Sequence, residues 1–175
     1  MNRPKRKLEE LNRLSVEAFR EAEKRPLVVI LDQVRSMHNV GSVFRSADAF
    51  CIEKLYLCGI TPKPPHREIR KTAIGATESV AWEAAEDALE VCQQLQAEGY
   101  QILALEQAHN SVMLPDFETQ ADQKYAVVVG HEVDGVQQAI VDMADTVLEI
   151  PQFGTKHSLN VSVASGVILY ALTKF

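Results

Sequence analysis

A chain of 175 residues, 46% hydrophobic and 24% charged, has the make-up of one globular domain with a core of its own. No apolar run reaches bilayer length and the basic N-terminus holds no signal-peptide core, so no membrane or secretion role is expected and the cytoplasm is the expected location. The net charge of −6 is uneven: residues 1–75 hold 15 Lys/Arg against 9 Asp/Glu, residues 76–175 hold 3 against 15, so a basic face on an acidic protein is allowed.

Residues 1–25 read as a basic extension of the domain spanning 26–175. Arg3, Lys5, Arg6 and Lys7 head an apolar recurrence at Leu8, Leu11, Leu14, Val16 and Phe19, which predicts an amphipathic helix ended by Pro26. The apolar run 27–31 predicts a buried strand. A polar loop, 32–39, leads into an apolar stripe at Val40, Val43, Phe44, Ala47 and Phe50, which predicts a helix with Asn39 as its N-cap. The next strand is expected at 54–58, making a βαβ unit and a parallel pair. On this helix Arg45 leaves the core stripe at its edge; by itself it reads as a surface charge.

Residues 59–71 read as a loop held extended by Pro62, Pro64 and Pro65. His66, Arg67, Arg70 and Lys71 follow, offering phosphate contacts or a solvated basic loop. A short strand is expected near 80–82, a helix over 84–98 stopped by Gly99, and a strand over 100–105. After a loop to about 123, residues 125–129 predict a buried strand that runs into the turn 130–135. A short helix over 137–143 and a strand over 146–150 follow. The loop after Ile150 carries Gly154, Lys156 and His157, and a final helix is expected with Ser158 as its N-cap. The three cysteines, Cys51, Cys58 and Cys92, lack paired spacing, so neither a disulfide framework nor a metal site is expected.

The loops after Leu31, Val129 and Ile150 thus all leave the C-terminal ends of expected parallel strands, the edge where open α/β sheets bind ligands. Their sequences resemble the three motifs of the SpoU/TrmH branch of the SPOUT RNA methyltransferases. The first pairs Asn39 with Arg45. The second is Gly-x-Glu-x-x-Gly, carried by Gly130, Glu132 and Gly135. The third is Ile150-Pro151, Gly154, then Ser158-Leu159-Asn160-Val161-Ser162. His131 and the pair Val133-Asp134 depart from the usual pattern of the second motif.

The resemblance covers residues 27–172 and implies a mostly parallel α/β sheet with helices on both faces and a C-terminal trefoil knot, which topology rules alone would argue against. It implies a homodimer that binds S-adenosylmethionine and methylates a ribose 2′-hydroxyl of tRNA or rRNA, with no metal. The extra RNA-binding domain of many relatives is not expected, so the N-terminal cations, the 66–71 cations and Lys156 would contact RNA. Arg45, Asn39, Ser158, Asn160 and Glu132 are implied in catalysis. Leu105, Gly130, Ile150, Leu159 and Ser158 are implied around the cofactor, largely through main-chain groups. The family gives Arg45 the role of base, yet a guanidinium stays protonated; either an RNA phosphate assists, or Arg45 positions and stabilises while another group takes the proton.

Two other readings carry different tests. A non-catalytic RNA-binding protein would keep the fold without methyl transfer, against which the Asn39, Arg45, Ser158 and Asn160 set speaks. A dinucleotide-binding oxidoreductase would need a glycine-rich first turn, and residues 32–39 contain no glycine.

Overall fold

Val28 and Ile30 pack into one buried cluster and Val29 and Leu31 into another, as alternate residues of a strand covered on both faces must. The computed structural model describes residues 3–173, so the outermost residues of the two expected domains, 1–2 and 174–175, lie outside it. Its elements are α1 (Val16–Glu21), β1 (Arg25–Asp32), α2 (Met37–Ala49), β2 (Ile52–Cys58), α3 (Arg67–Ala73), α4 (Ala76–Ser79), β3 (Trp82–Ala85), α5 (Ala88–Ala97), β4 (Tyr100–Leu105), β5 (Val112–Met113), β6 (Lys124–Val129), α6 (Gln138–Met143), β7 (Thr146–Glu149) and α7 (Val161–Leu172).

The strands form one seven-stranded sheet in the order β3-β2-β1-β6-β4-β7-β5, and every pairing between them is parallel. One core lies under α2, α3, α4 and α7, with Phe44, Ile69, Ala76 and Ile168 buried in it. The other lies under α5 and α6, with Val91, Leu95 and Ile140. The mostly parallel sheet with helices on both faces is therefore the architecture. Gly41 makes the α2–α3 contact possible, because a Cβ there would sit 2.1 Å from Thr72 Oγ1 and 2.3 Å from the Ile69 carbonyl.

Several local expectations are corrected. The N-terminal extension is not one helix. A 3-10 turn over Leu8–Leu11 ends at Asn12 with φ 48°, and α1 restarts after Ser15, whose hydroxyl accepts from the Ala18 amide at 3.1 Å. Of the expected apolar stripe Phe19 is buried, whereas Leu14 is exposed. Pro26 lies inside β1 rather than ending a helix. The N-cap of α2 is Ser36, not Asn39: its hydroxyl accepts from the Asn39 amide at 3.3 Å, and Met37 already packs against the core one turn ahead of the expected stripe. The expected extended loop ends in a helix, α3, which buries Ile69 and Ala73 and is capped by His66 Nδ1 accepting from the Glu68 amide at 3.2 Å. The N-cap of α7 is Asn160, not Ser158.

Among the described residues no helix is long and apolar enough to cross a membrane, and no group of three His, Cys, Asp or Glu side chains is placed to hold a metal. The three cysteines are unpaired. Burial pushes the thiols of Cys58 and Cys92 up to about 12, so neither supplies a thiolate at neutral pH.

Candidate active site

Where β6 ends, the chain turns back on itself within six residues. His131 and Gly135 exchange two backbone hydrogen bonds of 3.0 Å each. A Cβ on Gly130 would lie 2.1 Å from the Gly135 carbonyl carbon and 2.2 Å from the Val136 nitrogen. Gly135 has φ 72°, and a Cβ there would lie 2.2 Å from Glu106 Oε2. Glycine at both ends is thus required by backbone-to-backbone contact at one end and left-handed backbone at the other. The departures at His131 and Val133-Asp134 fit inside the turn: His131 Nδ1 accepts from the Val133 and Asp134 amides at 3.2 and 3.1 Å.

This turn forms one wall of a cleft of about 450 Å³. The ends of β4 and β7 and the loop before α7 form the others. Leu105, Gly130, Ile150, Ser158 and Leu159, expected around a cofactor, all line it, as do Glu132 and Asn160. The volume suits a nucleoside-sized ligand. Leu105, Val129, Leu148, Ile150 and Leu159 supply apolar surface, while Glu106, Glu132, Asp134 and Glu149 supply carboxylates. Such a lining fits an aromatic base joined to a cationic centre, which is the chemistry of S-adenosylmethionine.

The three expected motifs meet at the rim. Asn39 Nδ2 donates to Glu132 Oε1 at 3.0 Å, and Asn160 Nδ2 donates to Asn39 Oδ1 at 3.1 Å. Glu132 also accepts from the Arg35 amide at 3.1 Å and the Ser36 amide at 3.0 Å. Burial opposes its charge, but these hydrogen bonds outweigh it and hold the carboxyl below the ordinary glutamate range. Asn160 Oδ1 accepts from the Ser162 amide at 2.9 Å, so one side chain both starts α7 and grips α2.

Arg45 lies further along α2, exposed and outside the cleft lining. Among the described residues it has no ion pair or side-chain hydrogen bond. His38 pairs with Glu68 at 2.9 Å, and Glu68 also pairs with Lys71 at 2.7 Å. His66, Arg67, Arg70 and Lys71, with Pro65, line a separate shallow concavity, not the cleft. Arg3, Lys5, Arg6 and Lys7 are exposed on the N-terminal segment, and Lys156 is exposed on the β7–α7 loop.

Sequence reasoning missed two contributors. Glu106 Oε2 accepts from the Val136 amide at 3.0 Å and its Oε1 from the Gln107 amide at 2.8 Å, so this carboxylate ties β4 to the glycine turn. Gln107 Nε2 donates to the His157 carbonyl at 2.6 Å, tying β4 to the loop before α7. Their position just beyond a parallel strand was the available signal.

The model of the SpoU rRNA Methylase family matches residues 26–170. The chain is 32% identical over 156 residues to a tRNA (guanosine(18)-2'-O)-methyltransferase of Aquifex aeolicus, covering 86% of this chain and 70% of that protein. It is 32% identical over 147 residues to the 23S rRNA (guanosine-2'-O-)-methyltransferase RlmB of Vibrio vulnificus, covering 83% of this chain and 58% of that protein. Its fold matches the crystal structure of an AdoMet-bound rRNA methyltransferase from Sinorhizobium meliloti with a TM-score of 0.79 at 25% identity, over 88% of this chain and 59% of that one. The chain therefore spans between a little over half and about two thirds of the length of these relatives.

Proposed function

The chain belongs to the SpoU rRNA Methylase family, and on that premise we propose that it is an S-adenosylmethionine-dependent enzyme that methylates a ribose 2′-hydroxyl of tRNA or rRNA. The observation that carries this reading is the hydrogen-bonded line Asn160–Asn39–Glu132, which draws three distant segments to the rim of one nucleoside-sized cleft. The relatives named as 2′-O-methyltransferases of tRNA and rRNA support it, as does the AdoMet-bound neighbour.

A ribose hydroxyl is a weak nucleophile, so the chain must hold it in line and manage its proton. The bound cofactor supplies an electrophilic methyl group on a sulfonium. Main-chain groups near Leu105, Gly130, Ile150, Ser158 and Leu159 hold the adenosine end, and the apolar lining excludes water from it. Glu132 fixes the loop before α2 and orients Asn39, while Ser158 and Asn160 shape the substrate side. Arg45, without an ion pair or side-chain hydrogen bond among the described residues, binds the RNA at the reacting ribose. A guanidinium offers donors and no acceptor, so the part of Arg45 is to position the hydroxyl and stabilise charge, while the released proton passes to a nearby RNA phosphate or to another group.

The finer assignments follow the same reading. Residues 1–25 act as a basic extension and 26–175 as the methyltransferase domain. RNA phosphates meet Arg3, Lys5, Arg6, Lys7, His66, Arg67, Arg70, Lys71 and Lys156. A homodimer is supported by α7, which exposes Val163, Val167 and Tyr170 at spacings of four and three, one stripe of a helix. A trefoil knot is supported by the path of 106–123, which runs out from β4 to form β5 beyond β7 and returns to β6, while the chain after β7 goes back to α2. The unpaired cysteines suit a cytoplasmic enzyme.

The test is incubation with labelled S-adenosylmethionine and tRNA or rRNA from a strain lacking the gene, followed by mass spectrometry of the nucleosides. A 2′-O-methylated nucleoside is expected. RNA binding without any incorporated methyl would instead make the protein a non-catalytic binder.

A further inference from the structure

Phe153 is 97% exposed, more than any other large apolar side chain among the described residues. One exposed apolar residue is ordinary on a protein surface. The placement of this one is not. Gln152 before it and Ser158 after it line the cleft, so residues 153–157 are the short stretch by which the loop leaves the cleft wall and returns. All five are exposed. The stretch is tied down at its far end, where Gln107 Nε2 holds the His157 carbonyl at 2.6 Å and Asn160 caps α7. A Cβ on Gly154 would meet nothing within 4 Å beyond its chain neighbours, so the residue that follows Phe153 is open as well. Lys156 stands three residues from the ring, on the outside of a cleft whose own ionised groups are carboxylates.

Resting on the methyltransferase reading, we propose that Phe153 is a stacking platform for an unpaired RNA base next to the reacting ribose, with Lys156 meeting an adjacent phosphate. For its hydroxyl to reach a methyl group held inside the cleft, the target nucleotide has to leave the stack of an A-form helix. The nucleotide must be splayed out, and its neighbours lose a stacking partner. A flat aromatic face beside a cation replaces that partner whatever the base, which an aliphatic side chain would not do. A surface for a protein partner would need a contiguous apolar patch, and within the loop itself the chain neighbours of Phe153, namely Gln152, Gly154, Thr155 and Lys156, add none.

The experiment compares wild type with F153A, F153L and F153W in the full chain. Affinity for a short single-stranded oligoribonucleotide and for unfractionated tRNA is measured by anisotropy, S-adenosylmethionine affinity by calorimetry and subunit assembly by sedimentation. F153A and F153L should bind RNA about 10-fold more weakly, within the range for loss of one stacked base. F153W should bind like wild type, and its added indole emission, over the single native Trp82, should be quenched by RNA. Cofactor affinity and assembly should not change. The proposal is overturned if F153A or F153L binds RNA as wild type does, or if the F153W emission ignores RNA. It is equally overturned if F153A shifts the assembly state, since the ring would then be a subunit contact. None of these readouts needs turnover, so a wild type that methylates nothing would sink the activity reading while leaving the stacking result to stand or fall alone.

Discussion

The turn after β6 and the loop after β7 leave the same C-terminal edge of the sheet, with β4 between their strands, and line the same cleft, yet they are built in opposite ways. In the first, glycine is demanded by backbone contact: nothing larger fits at Gly130. In the second, Gly154 has empty space around it and residues 152–160 are exposed. Glu106 and Glu132 spend their carboxylate oxygens on holding the first region and the loop before α2. Phe153 and Lys156 in the second, and Arg45 on α2, make no side-chain hydrogen bond or ion pair among the described residues. The closed half, the turn, fixes one wall of the cleft, while the open half, the loop, meets the cleft at Gln152 and at Ser158, Leu159 and Asn160 and holds 153–157 exposed outside it. Glycine content alone does not distinguish the two; the contacts of a hypothetical Cβ do.

Arg45→Ala should give the largest effect, because it removes a group with no structural duty. Methyl transfer should fall by at least about 10²- to 10³-fold, in line with loss of a charge-stabilising donor. Cofactor affinity by calorimetry and the unfolding midpoint should stay near wild type. A large fall in cofactor affinity would move Arg45 to the closed half and break the contrast.

Gly130→Ala should come next, acting on the closed half. Forcing a methyl group into the turn should destabilise the fold by about 1–3 kcal/mol, read by denaturant unfolding, and should weaken cofactor binding with it. The same change at Gly154 should stay within about 0.5 kcal/mol and leave cofactor affinity alone. Equal effects at the two glycines would erase the distinction.

The smaller, sharper test is pH. Glu132 has its folded pKa depressed by the Arg35, Ser36 and Asn39 donors, which outweigh its burial. A depressed carboxylate contributes stability that is present above its unfolded pKa and lost as pH falls through the folded one. Wild type should therefore exceed Glu132→Gln in stability at neutral pH, and the gap should close in acid, below the ordinary glutamate range. A gap that is constant with pH would mean that the amide replaces the carboxylate without loss of charge-assisted bonding.

Much of the fold was legible along the chain. The runs at 27–31, 100–105 and 125–129 are apolar on both faces, which only a doubly covered parallel strand requires, and they appear as β1, β4 and β6. The motif residues were legible as well, because each lies just beyond such a strand or on the helix that follows. Helix starts were not. Asn39 and Ser158 looked like caps because they precede apolar stripes, but a cap is set by where backbone amides turn, and Ser36 and Asn160 do that work. Helix α3 was hidden because a two-turn helix with Ile69 and Ala73 inside leaves too little periodicity beside four basic or ring-bearing residues.

What the sequence determined by itself was therefore the covered sheet and the presence of three polar turns at one of its edges, since hydrophobic alternation and glycine spacing are local. Only the tertiary structure decided how the turns join. Asn39 reaches Glu132 across 93 residues of chain and Asn160 reaches Asn39 across 121, while Glu106 props a turn 30 residues on. Such bonds depend on distances that packing alone sets, so no local pattern announces them.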